Sequence, residues 1–207
     1  MKRKCLLVVT LVFLALPATG WAQRRGDISA IVGWQWGGGI DTRDGRIQLD
    51  AALNYGVEVD IVARPGAEVV LLYNRQDTDA RLTNRGVGIP DTTLAGVAMN
   101  YFQIGGTAAP YRQGALKPFF AGTLGLTWID PKTPNVGSLW YFGGSLGGGV
   151  KVLPSPRIGF RAQLRWWFTF IPSGSSWWCG LPGGCWATTT FELISQGEVS
   201  GGLVIRF

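Results

Sequence analysis

A chain of 207 residues with a formal net charge of +6, 31 glycines, 10 tryptophans, only 15% charged residues and no histidine has room for one domain or one closed barrel. The missing histidine excludes imidazole-based acid–base chemistry. So much glycine and aromatic surface disfavours a helical fold and favours an all-β one.

The first element is a targeting segment. Lys2, Arg3 and Lys4 precede the apolar run CLLVVTLVFLAL, and Pro17 and small residues follow, ending in TGWAQ. This pattern predicts a secretory signal peptide over residues 1–22, cleaved after Ala22. The run at 5–16 is shorter than the roughly 20 residues of a spanning helix, and Cys5 precedes it rather than following it as a lipid-attachment cysteine would. Removing 1–22 leaves 16 basic against 13 acidic residues, a net charge of about +3. That is too weak for a nucleic-acid binder. Residues 23–207 are expected to form one barrel domain, with no apolar run long enough for a transmembrane helix.

The mature chain alternates polar and apolar residues through eight segments. DISAIVGWQW comes first. GRIQLDAALNYGVEVDI then sets Ile47, Leu49, Ala51, Leu53, Tyr55, Val57, Val59 and Ile61 against Arg46, Gln48, Asp50, Asn54, Glu58 and Asp60. AEVVLLYNRQD and LAGVAMNYFQI follow, then PFFAGTLGLTWID and LWYFGGSLGGGVKV. In the seventh, RIGFRAQLRWWFTFI at 157–171, apolar residues take the even positions from Ile158 to Phe170 and Arg157, Arg161 and Arg165 take odd ones. Trp167 is the single large breach. On a helix these apolar residues would point all round the cylinder, so the four-residue arginine spacing belongs to a strand. The last segment, TTTFELISQGEVSGGLVIRF, sets Phe191, Leu193, Val199, Leu203, Ile205 and Phe207 against Glu192, Gln196, Glu198, Ser200 and Arg206.

Short turns at 63–66 and 153–156 and a longer one at 105–117 take turns with loops near 37–45, 78–93, 130–138 and 172–187. That succession predicts an antiparallel up-and-down barrel. Alternation suits a soluble lipocalin-like ligand-binding barrel as well as a membrane one; the two differ in which face is apolar. Three features favour the membrane. The segments run to about 11–16 residues against the roughly 5–6 of soluble strands. The polar face is rich in Gly, Ser, Thr and opposite charges. Trp34, Trp36, Tyr55, Tyr73, Trp128, Trp140 and Trp166 fall on the apolar face, mostly toward strand ends, as aromatic girdles do.

The chain ends GGLVIRF, with Phe207 last and apolar residues at 203 and 205. This ending resembles the closing strand of bacterial outer-membrane β-barrels, and the whole chain resembles the eight-stranded OmpA and OmpX group in architecture. The resemblance implies an outer-membrane location after export to the periplasm and recognition of Phe207 by the barrel-assembly machinery. Enzymes among such small barrels resemble one another in using an active-site histidine, which is absent here.

An eight-stranded interior is just wide enough to be filled by side chains, so inward charges need partners. Arg157, Arg161, Arg165, Lys151 and Arg206 share the polar face with Asp50, Glu58, Asp60, Glu68, Glu192 and Glu198, and Glu198 is expected opposite some position between 161 and 165. Two uses follow: an ion-paired plug in a structural or surface-interaction protein, or the lining of a narrow pore for small or hydrophobic solutes. In SSWWCGLPGGCW, Cys179 and Cys185 flank a Pro-Gly-Gly turn of an exported chain, which predicts a disulfide. Two thiols alone make no metal site, and the GGG runs lack the strand-to-helix setting of a phosphate loop, so no cofactor is predicted. Trp177, Trp178 and Trp186 mark the 172–187 loop either as part of the girdle or as a contact patch for an extracellular ligand. Outer-membrane lipid is the other expected partner.

Overall fold

A computed structural model describes residues 26–42, 45–83, 91–109, 116–132, 137–180 and 184–207, with backbone alone at 41–42, 45, 92, 173–180 and 184–191. The targeting segment at 1–22 lies outside the described residues. Ten strands are present among those described: β1 (Gly26–Gly37), β2 (Gly39–Thr42), β3 (Gly45–Leu49), β4 (Ala52–Arg64), β5 (Ala67–Thr83), β6 (Thr92–Ala108), β7 (Leu116–Pro131), β8 (Leu139–Val152), β9 (Ile158–Gly180) and β10 (Gly184–Arg206). Eight of them close a ring in the order β5, β4, β1, β10, β9, β8, β7, β6 and back to β5, every pair antiparallel. Closure gives each strand of the ring a neighbour on both sides over most of its length, so most of its backbone donors and acceptors find partners without water. This is a transmembrane β-barrel.

Period two decides the faces. On β9 the outward positions include Ile158, Phe160, Leu164 and Trp166, while Arg161, Gln163, Arg165, Trp167 and Thr169 are buried inside. Leu53, Leu124, Leu146 and Leu164 are 60–64% exposed. A belt of such residues, exposed in isolation, is the surface a membrane barrel turns to lipid; a soluble barrel would carry it inside. Leu164 stands between outward Phe160 and Phe170, so Leu164→Arg places a charge near mid-bilayer. Equilibrium folding of the variant into lipid vesicles should show a loss of about 2–4 kcal/mol. The belt is capped by aromatic rings: Tyr73 lies 5.0 Å from Phe102, Phe102 5.9 Å from Trp140, and Trp140 stacks on Trp128 at 5.6 Å. Trp34, Trp36, Tyr55 and Trp166 are also outward and exposed.

Gly26, Phe207 and the short turns at 63–66 and 153–156 gather at one rim, the near rim. Gly66 follows Pro65 with φ 88°, the value demanded at the third position of a type II turn, and β4 and β5 pair directly across it. The Gly26 and Phe207 backbones hydrogen-bond reciprocally at 3.1 and 3.0 Å, closing the barrel between its first and last strands. A Cβ on Gly26 would fall 2.6 Å from the Phe207 ring, so glycine makes room for the terminal aromatic.

At the far rim the structure departs from the simple alternation. The segment expected as one strand from 45 to 61 is two, broken at Asp50 and Ala51. Leu49 pairs with Ala80 and Asn54 with Gln76, so one extra residue on this side is absorbed as a bulge. The bulge reverses the phase. Leu49 is buried inward and Gln48 is exposed, the opposite of what continuous alternation requires. On the partner side, Gly37 and Gly38 take φ 83° and 94°, a pair of left-handed residues that a side chain would strain, and β2 restarts after them. The β2–β3 hairpin thereby brings Ile40, Ile47 and Leu49 against Val97, Met99, Trp167 and Ile194, forming an apolar cluster at the far end of the lumen. The 172–187 region, expected as a loop, is mostly a two-stranded ribbon in which β9 and β10 pair beyond the ring.

Candidate functional site

The charged half of the lumen begins at the near rim. Arg206 grips Asp27 with two bonds, Nε to Oδ1 at 2.8 Å and Nη2 to Oδ2 at 3.1 Å. The Lys151 ammonium stands among three carboxylates, 3.3 Å from Asp27, 2.8 Å from Asp60 and 2.9 Å from Glu68. The Asp27, Asp60 and Glu68 oxygens lie within 4.8 Å of one another, close enough to share a cation, and Lys151 supplies the positive charge there. Thr107 Oγ1 donates to Glu68 at 3.1 Å.

One layer further in, Glu58 bridges two arginines. Its Oε1 lies 2.6 Å from Arg161 Nη2 and its Oε2 2.9 Å from Arg165 Nη2, all three side chains being at most 1% exposed. Arg161 Nη1 also donates to Asp60 at 3.1 Å, which joins this layer to Lys151. Gln163 Oε1 accepts from Arg161 Nε at 2.9 Å and from Arg165 Nη2 at 3.3 Å, and Arg165 Nη1 donates to Ser145 at 3.1 Å. The Arg161 guanidinium lies 4.4 Å from the Phe119 ring centre, within cation–π range. Glycine creates the space: Gly147 pairs with Arg165 and Gly149 with Gln163. A Cβ on Gly149 would stand 2.8 Å from the Gln163 Cβ.

Above this lies a layer of neutral donors and amides around the Glu198 carboxylate. Glu198 accepts from Trp167 Nε1 at 2.7 Å, Asn74 Nδ2 at 3.0 Å and Ser200 Oγ at 2.5 Å. Tyr101 donates to Gln196 Oε1 at 2.5 Å; Gln35 Nε2 donates to Tyr101 at 3.1 Å and to Gln196 at 3.2 Å. Gln196 Nε2 in turn donates to Gln76 at 3.0 Å. From near rim to far rim the lumen therefore passes from ion pairs to amides to the apolar cluster. The chemistry of the ion-paired set is mutual neutralisation: four cations, Lys151, Arg161, Arg165 and Arg206, pair with four carboxylates, Asp27, Glu58, Asp60 and Glu68, while Glu198 is held by neutral donors.

Seven of the eleven charges predicted for the lumen join these ion pairs, Glu198 is buried among neutral donors, and three lie apart from the network. Arg157 lies in the bend before β9 and is exposed at the near rim. Asp50 sits at the bulge and pairs with Arg81 at 2.8 Å toward the far rim. Glu192 pairs in the backbone with Ile171, beyond the amide layer, and joins no described ion pair of the network. Glu198 does stand opposite Arg165, but that arginine's ion pair is to Glu58 on the other side. Sequence reasoning missed Asp27, although it begins the polar positions Asp27, Ser29, Gly33 and Gln35 of β1. It also missed Trp167, Tyr101 and Phe119, because a large aromatic on a polar face carries no signal of burial by itself. The side chains of Trp177, Trp178, Cys179, Cys185 and Trp186 lie outside the described ones; their backbones pair Cys179 with Cys185 and Trp178 with Trp186.

A closed eight-stranded barrel with a lipid-facing apolar belt and a polar, side-chain-filled lumen has the architecture of small bacterial outer-membrane barrels. Solved structures agree. Neisserial surface protein A is similar at 13% identity, with 89% of this chain and 97% of that one covered and a TM-score of 0.57. The outer membrane protein OprG from Pseudomonas aeruginosa follows at 12% identity, 88% and 95% coverage and a TM-score of 0.56. A major outer membrane protein from Thermus thermophilus gives 13%, 89% and 99%, with a TM-score of 0.52. At such identities the likeness is one of fold. No protein-family model matches the sequence, and no curated protein does.

Proposed function

We propose that the protein is an integral bacterial outer-membrane barrel with a structural or cell-surface interaction role and a lumen plugged by its own ion pairs. The observation that carries this reading is the Arg165–Glu58–Arg161–Asp60–Lys151 chain, buried side chains linked across the interior by contacts of 2.6–3.1 Å. Purified protein in planar lipid bilayers should give no stable single-channel steps; regular open steps at neutral pH would favour a narrow pore and overturn the plug. Absence of histidine supports a non-enzymatic role, since the chain offers no imidazole base to any serine or aspartate.

In this reading residues 1–22 direct export, Phe207 is read by the assembly machinery, and outer-membrane lipid surrounds the belt. The near rim faces the periplasm. The β9–β10 ribbon then stands outside the cell, stapled by a Cys179–Cys185 disulfide between cross-strand partners, and presents Trp177, Trp178 and Trp186 to an extracellular ligand.

A further inference from the structure

The β8–β9 ladder climbs from Val152 opposite Phe160 to Phe142 opposite Phe170 and stops, although both strands continue. Beyond that rung Leu139, Trp140 and Tyr141 remain paired with β7 alone. On β9 the continuation is Ile171 and then Pro172, and Pro172 has no N–H to donate. The β9–β10 register slips at the same point, with Phe191 opposite Pro172 and Thr190 opposite Gly174. The barrel wall is therefore notched between β8 and β9 at the level of the aromatic girdle.

A cleft of about 540 Å³ occupies the notch, lined by Trp140, Tyr141, Phe142, Phe170 and Pro172. That volume lies in the range of about 300–1,000 Å³ typical of small-molecule sites. Its outer lip is lipid-facing: the Phe142 and Phe170 rings stack at 6.1 Å, and Trp140 stacks on Trp128 beside them. Its inner wall is Tyr141, on a lumen-facing register, and the residue next to Pro172 is Ile171, which packs against the apolar cluster at the far end of the lumen. Among the described residues, no charged side chain lines it. Water gains little in a cleft so poor in polar partners, and the surface around the cleft is already covered by hydrocarbon.

We propose that this notch seats one hydrocarbon chain of a membrane lipid, which enters sideways through the girdle and points toward Ile171 while its head group stays at the interface. The seat is independent of whether the lumen conducts, so it stands or falls separately from the plug. The test uses the folded full barrel in detergent micelles and stearic acid carrying a nitroxide at mid-chain as probe. The electron paramagnetic resonance spectrum should show an immobilised component that saturates at about one probe per barrel. Pro172→Val, which restores a backbone donor to extend the ladder, and Phe170→Ala, which removes the lip without touching the ladder, should each weaken that binding about tenfold. Heat-dependent gel migration verifies that both variants are folded. Absence of a saturable immobilised component in the natural protein, or its persistence at full affinity in both folded variants, overturns the proposal.

Discussion

Replacing Glu58 by Gln is expected to lower the stability of the vesicle-inserted barrel by about 3–5 kcal/mol, measured by equilibrium unfolding in denaturant. Glu58 is the one carboxylate shared by Arg161 and Arg165, at 2.6 and 2.9 Å, in a place without solvent exposure. An amide of the same shape keeps the packing but removes the negative charge, which leaves two buried guanidiniums, of which Arg161 keeps its pair to Asp60 and Arg165 loses its ion-pair partner. The cost arises from charge left uncompensated rather than from the value of the bridge itself. The triple variant Glu58→Leu, Arg161→Met, Arg165→Met, which deletes the whole triad, is accordingly expected to be milder than the single one, because apolar residues of similar volume carry no desolvation penalty. A triple variant less stable than Glu58→Gln would show that the ion pairs themselves stabilise the barrel.

Lys151→Met is expected to destabilise by a comparable amount, about 3–5 kcal/mol, for the opposite reason. The ammonium lies within 3.3 Å of Asp27, Asp60 and Glu68, and removing it leaves three carboxylates facing one another. Their oxygens lie within 4.8 Å of each other, about twice the 2.3–2.6 Å length of a calcium–oxygen bond. Millimolar calcium should therefore recover much of the lost stability in Lys151→Met and change the natural protein little. Magnesium, which demands a tighter octahedral shell, should recover less. Thermal unfolding with and without each ion reads both outcomes, and failure of calcium to stabilise the variant would mean that the carboxylates separate once the ammonium is gone.

Alternation makes most of the inward set readable. Arg161 lies between Phe160 and Ala162, and Arg165 between Leu164 and Trp166, so in a strand parity alone assigns both to the polar face. Glu58, Asp60, Glu68, Lys151, Glu198 and Arg206 follow from the same parity. The errors come where something other than parity decides. Parity misplaces Asp50 because the sequence carries no mark of the bulge that absorbs one residue between Leu49 and Asn54. Arg157 has inward parity but lies in the bend before β9, at the rim, where it is exposed. Glu192 lies past the point where the lumen turns from amides to the apolar cluster. Trp167, the breach in the expected pattern, is the lumen residue that ties Glu198 to the Tyr101 ring.

That this chain makes long strands, which of their faces is apolar, and which charges share the other face can all be read from the residues in order, because those properties depend only on the two-residue period of a single strand. Which carboxylate meets which cation cannot. Glu58 reaches Arg161 and Arg165 across the lumen from a strand more than 100 positions away, and no local pattern encodes that pairing. The place where the wall opens is likewise a property of the closed barrel, since the stop after Phe170 arises from the register of two neighbouring strands and from the slip on the third. Register is a relation between strands, set by ring closure, bulges and missing donors, and it exists only once the barrel has closed.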